Sequence, residues 1–431
     1  MSRYTHYFLL VLFLFAASLN ACKESPNTTD SKPVAAGPNA KIEILAADFK
    51  AQSGDFEKLG EGENALINAP EDAGWLSYEI IVSEAGRYQV EIEAKASGDD
   101  LPELWVEDHI DNTDGRTYNI TSTMPFKSAT SEFQILSKDG SPLNAGKHQI
   151  KLHVGEGSAQ IKSINFTLLR PHQLTPTIME QVTDGDTWEV VWADEFEVNG
   201  LPDSTKWTYD LGNWGWGNNE PQYYTEGRLE NSRIEDGNLI IEAIRNDQGH
   251  DWTSARLTTR GKVSFVYGKI EFRAKIPVER GNWAAGWTLG DDYRDERSWP
   301  YCGEIDILET VGFEINDSTG DGSAHASVHC GAYYFKLGNQ PTAVLPVDNM
   351  EEAFHTYAVE WTPAGIDGFV DGKKYFSYTD TSNDLAWPFS KAQNIILNLA
   401  MGGGWGGAQG IDPAIQKQQF IIDYVRVYAR K

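Results

Sequence analysis

An all-β chain of two successive sandwiches is predicted by three features: strand-like alternation, frequent turn signals and the lack of any long helical period. The clearest alternation is "YGKIEFRAKIP". There Gly268, Ile270, Phe272, Ala274 and Ile276 share one face, and Lys269, Glu271, Arg273 and Lys275 the other. The clearest turn is "FVDGKKYF", which sets Asp371-Gly372 between two strands as a hairpin signal. From 41 to 170, "GWLSYEIIVSEAGRYQVEIEAKA", "GKHQIKLHV" and "AQIKSINFTLL" predict a small β-sandwich. Residues 171–187 are polar and Pro-bearing and are expected to be a linker. From 188 to 431, "NLIIEAI", "HTYAVEW", "NIILNLA" and "FIIDYVRVYA" predict a larger two-sheet sandwich, whose curved sheet can form an open groove.

Composition narrows the function. The chain has 431 residues, of which 40% are hydrophobic and 12% aromatic, with 14 Trp, which excludes a disordered chain. A net charge of -27 argues against nucleic acid or an anionic membrane surface as partner and suits an extracellular protein acting on a neutral ligand. Residues 1–21 read as a secretion signal, because the apolar run from Tyr7 to Ala17 is too short to span a bilayer with its flanks. The ending Leu19-Asn20-Ala21-Cys22 resembles a bacterial lipobox, which makes Cys22 the expected lipidation site. Residues 22–40 are then a disordered polar tether. The implied location is the bacterial cell envelope, lipid-anchored at the outer-membrane surface, with plain secretion as the alternative. Cys302 and Cys330 remain for a disulfide in an oxidising compartment. Strand phase argues against the pair: if Cys302 shares the face of Glu304 and His329, Cys330 points the other way.

The most informative stretch is "YCGEIDILETVG", with Glu304, Asp306 and Glu309 in an otherwise apolar strand. Alternation puts Glu304 and Asp306 on one face and Glu309 on the other. One extra residue near Ile307-Leu308, a β-bulge, would bring all three to the same side. A strand packed on a core does not tolerate three carboxylates without partners or a task. Two carboxyls on one wall of a cleft are what retaining glycoside hydrolysis needs: Glu304 as nucleophile and Glu309 as general acid/base. Asp306 between them disfavours simultaneous ionisation and so separates their pKa values. A solvated edge strand and a calcium site are the competing readings. Ile305, Ile307 and Leu308 speak against the first, and the lack of Asn, Asp and Gly turn residues speaks against the second.

"GEIDILE" resembles the active-site strand of glycoside hydrolase family 16, in the bulged form of laminarinases, which are endo-acting β-1,3-glucanases. The resemblance covers nearly all of residues 188–431 through an ordered set of motifs. These are "VVWADEFEVNG", "GWGNNEPQYYT", "NSRIEDGNLIIEA", "TSARLTTRGKVSFVYGKIEFRAKIP", "GNWAAGWTLG", "WPYCGEIDILE", "FHTYAVEWTP" and "GGGWGGAQGIDP". It implies a β-jelly roll with a concave active-site groove, retention of configuration, and the same roles for Glu304, Asp306 and Glu309. It also implies sugar contacts from Asn218, Arg256, Trp283, Trp287 and His329, with Trp405 at the groove edge. Indole faces stack on glucose rings while Arg and Asn hold hydroxyls. Trp207 and Trp361 are expected in the core instead. Where the family's platform motif carries Pro and a bulky residue this chain has Ala284 and Gly286, so extra space near a subsite is expected.

The resemblance implies no cofactor for catalysis but a structural calcium held by the carbonyls of Glu195 and Gly237 and the carboxylate of Asp423. Residues 41–170 resemble a family 6 carbohydrate-binding module through "AADFKAQSG" and the Ala69-to-Ala96 run, although Ala47, Gln160 and Ser163 depart from its pattern. In that module Trp75 is expected in the core and Trp105 as an exposed platform, and a spacer role weighs equally with sugar binding. The expected partner is a β-glucan polysaccharide, with membrane contact only through the anchor, and a monomer. Mixed-linkage β-1,3-1,4-glucan hydrolysis and non-catalytic glucan binding are the alternatives.

Overall fold

A computed structural model of the chain describes residues 34–35, 41–97, 100–109, 117–316 and 318–431. The signal segment and Cys22 lie outside the described residues. Among those residues the only helices are short 3-10 turns, and strands make up two sandwiches. None of the helices is long and apolar enough to cross a membrane.

The smaller sandwich pairs a seven-stranded with a six-stranded sheet. Its strand Gly86–Ala96 alternates between buried and half-buried along its whole length, as the sequence period requires. Tyr88, Val90 and Ile92 meet Ile80, Val106, Ile150 and Phe166 in its core. The larger sandwich pairs a nine-stranded with a ten-stranded sheet around Phe265, Phe272, Tyr357 and Trp361. Trp207 and Trp361 are 2% and 0% exposed, in the core as expected.

The nine-stranded sheet carries the site. Its neighbours run in the order Gln393–Met401, Asn282–Gly290, Glu304–Val311, Gly322–His329. The acid strand Glu304–Val311 is therefore central, flanked by the platform strand Asn282–Gly290 and the histidine strand Gly322–His329.

Two expectations about connecting segments are corrected. Within the expected linker 171–187, Thr177–Glu180 forms a strand that pairs in parallel with Val263–Val266. Four residues, with Ile178 and Met179 between Thr177 and Glu180, suffice to extend a sheet whose edge would otherwise stay unpaired. Within the expected tether, Val34–Ala35 pairs in parallel with Ile80 and Ile81. Among the described residues Cys302 and Cys330 are free and both buried. Cys302 packs with Leu289, Tyr293 and Ile396, whereas Cys330 belongs to the main core, in agreement with the phase argument.

Candidate active site

The bulge on the acid strand organises everything around it. Gly286 pairs with Leu308 and Trp287 with Asp306, which leaves Ile307 without a partner on the platform strand. On the other side Asp306 pairs with Ser327 and Glu309 with His325, so the same extra residue is seen from both neighbours. Ile305, Ile307 and Leu308 all point into the core, at 1%, 1% and 0% exposure. A regular pleat would turn Leu308 outward, at a loss of about 2 kcal/mol of apolar burial, and would push a carboxylate into the core. The bulge avoids both costs, and Glu304, Asp306 and Glu309 share the groove face.

Each acid has named partners. The Trp299 indole N–H donates to Glu304 Oε2 at 3.0 Å, and the Trp283 indole N–H donates to Glu309 Oε1 at 3.1 Å. Ser327 Oγ donates to Asp306 Oδ2 at 2.7 Å and lies 3.4 Å from Glu309 Oε2. His329 Nε2 stands 3.4 Å from Asp306 Oδ2 and 3.9 Å from Glu304 Oε1. Glu304, Asp306 and His329 bring one ligand-capable atom each within 4.8 Å of one another. Indole, hydroxyl and imidazole groups already face these oxygens, so the cluster is arranged for proton chemistry rather than for a cation.

Crowding sets the electrostatics. Burial, then the neighbouring Asp306 charge, pushes Glu304 up to about 8 and Glu309 well above the carboxylate range. Burial opposes the His329 imidazolium, but Asp306, Glu304 and Glu309 outweigh it and push His329 up to about 9. One histidine cannot neutralise three acids, so a proton is retained among them. The imidazolium stands beside Glu304, 3.9 Å from its Oε1, which favours Glu304 as the first of the two glutamates to ionise.

The expected sugar contacts surround these acids. Trp283, Ala285 and Trp287 share the groove face. Trp287 donates to Asn398 Oδ1 at 2.7 Å and lies against the Arg256 guanidinium, 4.7 Å from its ring centroid. Arg256 has Trp216 at 4.8 Å as well and donates to Asp210 at 3.0 Å. Trp405 meets Trp283 edge-on at 5.3 Å and His325 at 4.9 Å, so it belongs to the Glu309 side of the groove. The Asn218 carbonyl accepts from Gly404 N at 2.7 Å, which ties the "GNNE" turn to the Gly-rich loop. Its side-chain amide donates to Glu220, which burial pushes up to about 7.

Three expectations are corrected. Ala284 and Gly286 do not open a subsite, because they face the core. Ala284 is 0% exposed, and a Cβ on Gly286 would come within 2.3 Å of the Phe272 ring. Of the expected calcium ligands, Asp423 pairs through Oδ2 with Arg273 at 2.5 Å, while Glu195 and Gly237 were expected through their carbonyls alone. In the smaller sandwich Trp75 is half-buried, outside the core, with the Lys151 ammonium 4.1 Å from its ring centroid. Trp105 is stacked on His153 at 4.8 Å and 6°, which covers one of its faces.

Sequence reasoning missed Trp299 and Ser327. Trp299 stands five residues before Glu304, inside the motif "WPYCGEIDILE", and an indole next to an acid strand was a usable signal. Ser327 had no local signal, because its position follows from pairing with Asp306.

The family model described as "Glycosyl hydrolases family 16" matches residues 216–426. A curated beta-glucanase of Rhodothermus marinus is 47% identical over 249 residues, covering 56% of this chain and 85% of that protein. A glucan endo-1,3-beta-glucosidase of Cryptopygus antarcticus is 34% identical over 258 residues, covering 56% of this chain and 91% of that protein. The solved laminarinase of Rhodothermus marinus superposes with a TM-score of 0.53 at 47% identity, over 56% of this chain and 98% of its own. The bulged acid strand and its surroundings thus have relatives in both sequence and fold, and the chain belongs to family 16 of the glycosyl hydrolases.

Proposed function

We propose that the chain is a retaining endo-hydrolase of β-1,3-glucan, of the laminarin type. The observation that carries this reading is the bulge at Ile307, which places Glu304, Asp306 and Glu309 together on the groove wall. Its relatives named for glucan and laminarin cleavage supply the substrate class.

In this reading Glu304, ionised, attacks the anomeric carbon while Glu309 gives its proton to the glycosidic oxygen, which leaves as the next sugar's hydroxyl. The resulting glycosyl ester on Glu304 is then opened by water, whose proton returns to Glu309 as the water oxygen bonds the anomeric carbon. Two inversions give net retention. Asp306 keeps the proton on Glu309 through its charge and holds Ser327 and His329. Trp299 N–H favours the charged form of Glu304. Trp283, Trp287 and Trp405 offer indole surface to sugar rings, with Asn218 and Arg256 for hydroxyls.

Cys22 is the proposed lipid anchor, at the outer-membrane surface, and the protein is proposed to act as a monomer without a catalytic cofactor. Residues 41–170 are proposed as a separate module preceding the catalytic one.

The test is the product series from laminarin over time, read by mass. Mid-length oligosaccharides should precede glucose. Glucose alone from the first time point, or release only from lichenan or a galactan, overturns the assignment.

A further inference from the structure

The smaller sandwich reaches the catalytic loop. Asp291 to Gly303 connects the platform strand to the acid strand and delivers the Trp299 indole to Glu304. The loop is braced by its own bonds, Ser298 N to Asp295 O and Cys302 N to Ser298 O, both 3.0 Å. At its start the larger sandwich holds it, through Ser264 Oγ and Asn394 Nδ2 donating to Asp291 Oδ1 at 2.7 and 3.1 Å, and Trp299 packs against His329, Tyr334 and Phe335. Around Asp295 to Trp299 the smaller sandwich adds further supports.

Arg297 leaves the loop and enters a buried polar nest. Its guanidinium Nη2 lies 2.7 Å from Asp295 Oδ2 and 3.1 Å from His148 Nε2, and its Nε lies 3.4 Å from Asp108 Oδ2. His148 Nδ1 is in turn 2.7 Å from Asp108 Oδ2. The Asn144 backbone N–H donates to Asp295 Oδ2 at 3.2 Å. Asp108, His148 and Asp295 are 3%, 1% and 3% exposed. Asp108 and His148 belong to strands Glu103–His109 and Gly146–Val154 of the smaller sandwich, and Asp295 to the catalytic loop. A second contact falls on Trp299 itself, whose carbonyl accepts from Tyr118 OH at 3.3 Å.

Two buried carboxylates from different sandwiches are stable together only with a cation between them, and the planar fork of Arg297 fits that place. Removing one carboxylate would leave Arg297 undercompensated, and the loop would shift to resolve it. Any such shift moves the indole that donates to Glu304.

We propose that the smaller sandwich is a positioning element of the active site: Asp108, His148 and Tyr118 hold the Asp291–Gly303 loop so that Trp299 bonds Glu304. This rests on Glu304 being the nucleophile. It gives residues 41–170 a task independent of sugar binding.

The experiment is a double-mutant cycle in the full chain, with Asp108→Asn, Trp299→Phe and the pair, and a parallel cycle with Tyr118→Phe, which removes only a hydroxyl. Trp299→Phe is expected to lower kcat on laminarin about tenfold with KM within about twofold. Asp108→Asn should lower kcat about threefold or more alone, and add nothing once Trp299 is gone. Equal factors with and without Trp299 overturn the proposal, as does an Asp108→Asn enzyme of wild-type rate. If Asp108→Asn does not fold, the Tyr118→Phe cycle decides by the same criterion. Hydrogen exchange provides a readout apart from turnover: Asp108→Asn should speed exchange at 291–303 and leave Gly86–Ala96 protected. Unchanged exchange in that loop refutes the positioning role. A wild-type chain inert on every glucan refutes instead the glucanase reading, with the exchange result still standing for the loop.

Discussion

The two sandwiches handle buried charge in opposite ways. In the smaller one, Asp108 is buried against His148 and Arg297, so each charge meets a partner. In the larger one, three acids face a single histidine, and burial and the Asp306 charge raise the pKa of both glutamates. Both are β-sandwiches with well-packed cores, so architecture does not distinguish them. The difference is that the first arrangement minimises free energy, while the second keeps a proton and a carboxylate apart for use. Aromatic side chains follow the same division. Trp105 and Trp75 are covered in part by His153 and Lys151, while Trp283 and Trp299 spend their N–H groups on the catalytic acids.

Four experiments would break or sharpen that contrast. The largest effect is expected from Glu304→Gln, which should cut turnover on the order of ten-thousand-fold while laminarin binding, measured by calorimetry, persists. Undiminished turnover would remove Glu304 from the mechanism. Asp306→Asn should lower kcat about ten- to a hundredfold and also move the pH profile. The acid limb of kcat/KM follows ionisation of Glu304, whose pKa Asp306 raises. Removing that charge therefore shifts the limb to lower pH, and a shift upward would contradict the crowding argument.

A smaller effect concerns stability. Glu309 sits well above its ordinary pKa in the fold, so the protein must keep a proton there that the unfolded chain releases. Its contribution is full below the ordinary carboxylate range and declines as pH rises toward the folded value. Glu309→Gln should thus melt higher than the parent, by a margin that widens with pH in calorimetric scans. A margin that narrows with pH would show that this carboxyl is not strained. The smallest effect is expected at Trp105, where substitution by Ala should change laminarin affinity by less than about twofold, since His153 already takes one ring face. A tenfold loss would return sugar binding to residues 41–170.

Much of the site was legible in particular residues. Ile307 next to Leu308 in an alternating strand is the signature of a phase shift, because two adjacent apolar side chains can both be buried only if the pleat slips. Trp283 and Trp287, four apart, had to share a face. Ala284 and Gly286 were misjudged because their phase was set aside in favour of the family pattern. Phase alone puts them opposite the two Trp, against Phe272. Ser327, the Arg297 nest and the Tyr118 bond to Trp299 left no local trace, since each joins segments distant in the chain.

By itself the sequence determined strand periods, turn positions, the acids and the side of the sheet they take, because these depend on neighbours within a few residues. Only the tertiary structure decided which strands flank the acids, that Trp299 and Ser327 serve them, and that the smaller sandwich touches their loop. Those contacts follow from strand order and docking, where burial and charge balance are summed over the whole molecule and no local pattern records the result.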